Sequence, residues 1–202
     1  SERPQDGSKA VIDFAAVKSG ITIENGAEVT ATFERIEIRN SREGAIVKSG
    51  AGDIEVTNCR FLGCNEDDTC AARYTKGGMA LRLSGTADTQ ATISGCSFEG
   101  CLCTREKASA RGGVLNVSAL GQLELSDCLF LTNGVPWSPY KKNGNVEFVV
   151  SLSFGIVYVS GTPVWATRCR FIQNNASMLY SKGGGAVTLT GSAGGSASGA
   201  AT

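Results

Sequence analysis

Eight cysteines are the residues with the most chemistry open to them, and their spacing is regular. Cys59, Cys96, Cys128 and Cys169 each stand two residues before a phenylalanine, at Phe61, Phe98, Phe130 and Phe171. Cys64 and Cys101 follow two of those phenylalanines by three residues, with Cys70 and Cys103 further on. Thiols can act as nucleophiles, metal ligands, halves of disulfides or small core residues. Histidine is absent, which removes the Ser-His-Asp triad, the Cys-His pair and any His-ligated zinc site. A four-thiolate zinc centre would suit Cys64, Cys70, Cys101 and Cys103, but they form no Cys-x-x-Cys pair. Disulfides are the favoured reading for these four. Cys64–Cys101 with Cys70–Cys103 is one pairing among those that spacing leaves open.

Other groups offer less. Glu55 and Glu124 fall at equivalent positions of a repeat, as paired hydrolytic carboxylates would, but the unit between them carries Thr92. Glu66-Asp67-Asp68 has the oxygens for Ca²⁺ and reads first as a solvated loop. Asn116-Val117-Ser118 and Asn175-Ala176-Ser177 are N-glycosylation sequons. Trp165, Trp137 and Tyr140 are aromatic candidates for contact with a sugar or a protein. No catalytic residue, cofactor site or metal site is assigned.

These residues are positioned by a repeat. Ile54–Cys64 (IEVTNCRFLGC) returns as Ala91–Cys101 (ATISGCSFEGC), Leu123–Asn133 (LELSDCLFLTN) and Val164–Asn174 (VWATRCRFIQN), with a fainter copy at Ala31–Ser41. A second anchor, a glycine before an apolar pair, alternates with it at Gly44, Gly78, Gly113, Gly155 and Gly185. From glycine to the next Phe the gaps are 17, 20, 17 and 16 residues; from Phe (or Ile38) to the next glycine they are 6, 17, 15, 25 and 14. One half of each unit is nearly fixed and the other varies fourfold, as in a solenoid with one variable loop per turn.

Apolar residues alternate with polar ones over three to five positions, and glycines interrupt too often for long helices. The fold expected is therefore all-β: a right-handed, single-stranded parallel β-helix of about five coils. It spans 10–191, after a loose N-terminus at 1–9 and before a Gly/Ser/Ala-rich tail or linker at 192–202. Positions seven, five and two before the Phe face inwards with the Phe itself. Cys59, Cys96, Cys128 and Cys169 then form an inward ladder, favoured as unbridged core residues because stacking in register strains a disulfide. Asn133 and Asn174 share a column and should hydrogen-bond along the axis. Trp165 lies in an outward column. Residues 134–154 form the longest loop, with a hairpin turning at Asn143-Gly144.

Charge is balanced, with 19 basic and 19 acidic residues, so neither nucleic acid nor an anionic membrane is an expected partner. No apolar run is long enough for a membrane helix. The chain opens without Met or a signal peptide and reads as a mature product or an excerpt of something longer. The even cysteine count and the sequons favour an extracellular or cell-surface setting.

Glu43-Gly44-Ala45-Ile46, Gly112-Gly113-Val114-Leu115 and Gly184-Gly185-Ala186-Val187, alternating with Phe130-Leu-Thr-Asn133 and Phe171-Ile-Gln-Asn174, resemble the chlamydial polymorphic membrane protein repeat. At Cys64 and Cys101 this chain has cysteine where the repeat has asparagine. The resemblance covers roughly 20–191 and implies a β-helical, adhesin-like surface region; the terminal autotransporter barrel of those proteins is not carried over. The function expected is structural or adhesive, stacking end to end or continuing into further coils of a longer surface protein. A carbohydrate-binding module is the alternative, and a β-helical polysaccharide-degrading enzyme is a weaker one.

Overall fold

The computed structural model describes residues 9–15, 20–24, 29–42, 44–65, 77–101, 113–134, 140–142, 145–147, 155–174, 177–182, 187–190 and 197–200. Every element among them is a β-strand. β1 (Ala10–Asp13), β2 (Ile21–Ile23), β3 (Ala31–Glu34) and β4 (Ile36–Arg39) open the chain. β5 (Ile46–Lys48), β6 (Ile54–Thr57) and β7 (Arg60–Leu62) make the next coil, and β8 (Leu81–Ser84), β9 (Gln90–Ser94) and β10 (Ser97–Glu99) the one after. β11 (Leu115–Ser118), β12 (Gln122–Ser126) and β13 (Leu129–Leu131) follow. A hairpin of β14 (Tyr140–Lys142) and β15 (Asn145–Glu147) comes next, antiparallel as expected from the Asn-Gly turn. β16 (Gly155–Ser160), β17 (Val164–Thr167) and β18 (Arg170–Ile172) complete the fifth coil, before β19 (Ser177–Lys182), β20 (Val187–Thr190) and β21 (Ala197–Ala200).

The strands sort into three parallel sheets. Sheet 1 runs β1-β4-β7-β10-β13-β18, sheet 2 runs β2-β5-β8-β11-β16-β19-β21, and sheet 3 runs β3-β6-β9-β12-β17-β20. The path from sheet 2 to sheet 3 to sheet 1 repeats each turn, so the chain winds as a parallel β-helix, with five complete coils among the described residues and further strands on either side of them. The last sheet-2 strand falls within the stretch read as a tail: Ala197–Ala200 pairs in parallel with β19.

Register explains the core. Phe61, Phe98, Phe130 and Phe171 stand opposite one another in consecutive coils. Their rings stack with centroids 5.0, 4.8 and 4.5 Å apart and planes within 10° of parallel. Ile54, Val56, Phe61 and their counterparts in the next three coils are all buried. Each of the larger ones, from Val to Phe, contributes about 1.5–3 kcal/mol of burial, which strands of three to five residues collect only by stacking.

Two of the three corners of each complete coil turn on a single left-handed residue. Between sheets 3 and 1 one residue per turn is left-handed: Arg35, Asn58, Gly95, Asp127 and Arg168, with φ from 52° to 59°. After sheet 1 a second such column holds Asn40, Gly63, Gly100, Thr132 and Gln173. Asn, Asp and Gly tolerate this conformation at little cost; Arg and Thr do so at about 1–2 kcal/mol, offset by the stacked strands on either side.

Candidate functional site

The thiols lie inside the coil. Cys59, Cys96, Cys128 and Cys169 are each no more than 1% exposed and carry free thiols. The residues after Cys96, Cys128 and Cys169 donate their N–H groups to the cysteine carbonyl one coil earlier, at 2.8 to 3.0 Å, which locks the column. Each Sγ also points at the carbonyl two residues before it, at 3.3 to 3.6 Å. The neighbouring thiol and burial push the Cys96 and Cys128 pKa values up, so these groups are protonated donors rather than thiolates. Among the described residues no group of three or more His, Cys, Asp or Glu side chains could hold a metal ion.

Cys64 and Cys101, two of the disulfide candidates, are fully buried and unbridged in this structure. In-register stacking puts them in the column that continues as Asn133 and Asn174. Cys64 Sγ faces the Ile38 carbonyl and Cys101 Sγ the Phe61 carbonyl, both at 3.9 Å. Asn133 and Asn174 donate to the equivalent Phe98 and Phe130 carbonyls at 2.8 and 2.9 Å. The expected amide ladder is present: Asn133 N–H and Nδ2–H both reach Asn174 Oδ1, at 2.9 and 3.1 Å. Cys70 and Cys103 lie outside the described residues.

The outer face of sheet 3 carries the surface candidate. Trp165 is 40% exposed there, between Glu124 and Thr188 in the ladder. It forms one wall of a shallow open depression of about 270 Å³ with Gln122, Glu124, Leu125, Ser126 and Thr167. Gln122 Nε2 donates to Glu124 Oε1 at 2.5 Å. Glu55 and Glu124 do share a column, with Thr92 between them. Two strand steps separate them by about 10 Å. Trp137 lies outside the described residues, as do Glu66, Asp67 and Asp68, and only the backbone of Tyr140 is described, in β14.

Asn116 points outward as expected but in mid-sheet, between Arg82 and Tyr158, and is half-buried. Gly78 packs against its Cβ, close enough that a side chain at position 78 would approach it to 3.0 Å. Asn175 lies outside the described residues.

Two features gave little sign in the sequence. Lys48 occupies the inward column shared with Leu83, Val117 and Val159, and is 2% exposed. Its Nζ donates to the carbonyls of Gly50 and Ala51 at 2.7 and 3.1 Å, and burial lowers its pKa, with Asp53 partly offsetting. On the outside of sheet 1, Arg60 donates to both Glu99 oxygens at 3.0 and 2.7 Å and to Glu37 at 3.4 Å; Arg39 also pairs with Glu37. The Arg60 hydrogen bonds hold Glu99 below the usual carboxylate range.

The family described as "Right handed beta helix region" matches residues 5–194. The chain belongs to the right-handed β-helix family. Its three stacked parallel sheets are what that membership requires. The match supports the β-helical part of the repeat resemblance and does not reach the chlamydial-type motifs. No curated protein and no solved structure matches this β-helix. No helix among its described residues is long and apolar enough to cross a membrane.

Proposed function

We propose that this β-helix is a structural or adhesive surface element that lengthens by adding coils at its N-terminal face. The observation that carries this is the state of the first coil. Ile12, Phe14, Ile21, Phe33 and Ile36 are only half-buried, whereas Ile46, Val56 and Cys59 one coil later are fully buried. On the outer face beside them Val11 is 54% exposed. Strands β1, β2 and β3 each stand at the edge of their sheet. An apolar cross-section rimmed by strand edges fits another β-coil, because backbone pairing and apolar burial are completed together. That coil comes from a second copy, end to end, or from further repeats of a longer surface protein. The alternating glycine and phenylalanine motifs favour the surface setting, and the absent histidine together with the separated Glu55 and Glu124 favours a scaffold over an enzyme.

Sedimentation velocity and electron microscopy from micromolar to millimolar protein test the self-stacking form. Rods lengthening with concentration are expected, and Ile21→Glu should abolish them. Particles of one length at every concentration would overturn it.

Trp165 favours a second reading, in which the sheet-3 depression binds a glycan. The indole offers a flat apolar face, and Gln122, Glu124, Ser126 and Thr167 offer polar groups around it. Titration with soluble polysaccharides should quench tryptophan fluorescence in the native chain and not in Trp165→Ala. Equal quenching in both would remove Trp165 from the reading.

A further inference from the structure

The outer face of sheet 3 carries charge of one sign. Among the described residues its strands hold carboxylates at Glu34, Glu55 and Glu124, and no lysine or arginine. Sheet 1, by contrast, places Arg39, Arg60 and Arg170 among Asp13, Glu37 and Glu99. The corners flanking sheet 3 add no free cation. Asp53 and Asp88 stand at one; at the other Arg168 donates twice to Asp127 at 2.6 Å, and Arg35 lies beside Glu34.

Register arranges the face as a track. Thr32, Glu55, Thr92, Glu124 and Trp165 form one outward column, in which Glu55, Glu124 and Trp165 are exposed. Glu124 stands directly opposite Trp165, and Glu55 lies two strand steps further along the axis, about 10 Å. Beside it runs a column of hydroxyls, Thr57, Ser94, Ser126 and Thr167, in which Ser94 Oγ donates to Thr57 Oγ1 at 3.4 Å. Strand β17 is paired on both sides, to β12 and β20, so its backbone has no edge to offer a peptide. Recognition here must pass through side chains.

Resting on the glycan reading of the Trp165 depression, we propose that its ligand is a cationic amino-sugar polymer, lying along the helix axis from Trp165 towards Glu55. The indole takes the apolar face of a sugar ring. An ammonium group of the polymer sits between the indole, whose face attracts cations, and the Glu124 carboxylate. Gln122 steadies that carboxylate through Oε1. Glu55 receives a second ammonium further along the chain, and the hydroxyl column meets the ring hydroxyls. An acidic sugar polymer is repelled by the same charges, because its anionic groups would face Glu124 and Glu55 with no cation between them.

The test is isothermal titration calorimetry of the full chain in mildly acidic, low-salt buffer. The probes are a short glucosamine oligomer, the same oligomer fully N-acetylated, an oligogalacturonate and oligolysine. The glucosamine oligomer should bind about three- to tenfold more tightly than its acetylated form, the range of an exposed charge contact reinforced by an aromatic face. Glu124→Gln, an exposed and nearly isosteric change, should remove most of that preference and leave the acetylated oligomer unaffected. Trp165→Ala should weaken both. Equal affinity for the two oligomers, each lost in Trp165→Ala, would overturn the amino-sugar assignment and leave the glycan reading intact. Tighter binding of oligogalacturonate would overturn it too, as would oligolysine matching the glucosamine oligomer, which would point to a basic peptide. Binding of no sugar, or sugar binding unchanged in Trp165→Ala, would overturn the glycan reading and this assignment with it.

Discussion

The side-chain Oδ1 of Asn133 accepts the backbone N–H of Cys101 at 2.8 Å, one coil away, while Nδ2 of the same amide donates to Phe98 O at 2.8 Å. One asparagine thus closes two buried backbone groups at the corner leaving sheet 1. Cys101 holds the same place one coil earlier and offers only weak Sγ contacts, 3.9 Å from Phe61 O and 3.7 Å from Glu99 O.

This difference predicts opposite effects for two substitutions. Asn133→Ala removes the acceptor of the buried Cys101 N–H and one donor to the Phe98 carbonyl, and should cost about 1–3 kcal/mol. Cys101→Asn supplies a full donor to Phe61 and an acceptor to Cys64 N–H, and should gain about 1 kcal/mol. For a chain of this size that is about 2–4 °C in Tm. Urea and thermal unfolding under reducing conditions check both; a destabilised Cys101→Asn would show that the column does not accept an amide at that coil.

Alkylation reads the state of the thiols. In the native chain Cys59, Cys64, Cys96, Cys101, Cys128 and Cys169 should resist iodoacetamide, because all six are buried and unpaired by disulfides. All six should label in urea without prior reduction. Peptide mass spectrometry decides it, and a Cys64–Cys101 disulfide in the purified protein would contradict the thiol column.

Arg60 sets an acid-dependent difference. Glu99 has its folded pKa lowered below the ~4.3 of an unfolded chain. The stabilisation is therefore present above about pH 4.3 and is lost as pH falls through the lowered folded value. Arg60→Met should be less stable than the native chain at pH 6, by about 0.5–1 kcal/mol given the partial exposure of the pair. The gap should close towards pH 3. A gap independent of pH would assign the loss to packing of the arginine stem.

Lys48 gives the opposite slope. Burial lowers its folded pKa below the ~10.4 of the unfolded chain, so the unfolded chain holds the extra proton between the two values. Native stability should rise with pH across that interval relative to Lys48→Met, which has no group to titrate. Urea unfolding at pH 7, 8.5 and 10 in paired samples cancels the shared cysteine ionisations. A flat difference would mean that Lys48 remains charged in both states throughout.

Spacing alone determined the coil. A fixed gap from glycine to phenylalanine and a variable gap back can be met only by strands that stack and loops that do not. The inward column of Cys59, Cys96, Cys128 and Cys169 followed from the period of two in a strand. So did the Asn133–Asn174 ladder and the outward place of Trp165, because stacked parallel strands convert equal repeat position into contact. Tertiary structure decided what repeat position could not. Cys64 and Cys101 fall side by side in one buried column, a closeness that their separation of 37 residues does not reveal. Lys48 sits in an apolar column because two turn carbonyls happen to lie within reach of its ammonium. Ala197–Ala200 is a strand because the exposed edge of β19 supplies hydrogen-bond partners that its own composition would never recruit. Local pattern fixes which way a side chain points; only the neighbouring coil fixes what it meets there.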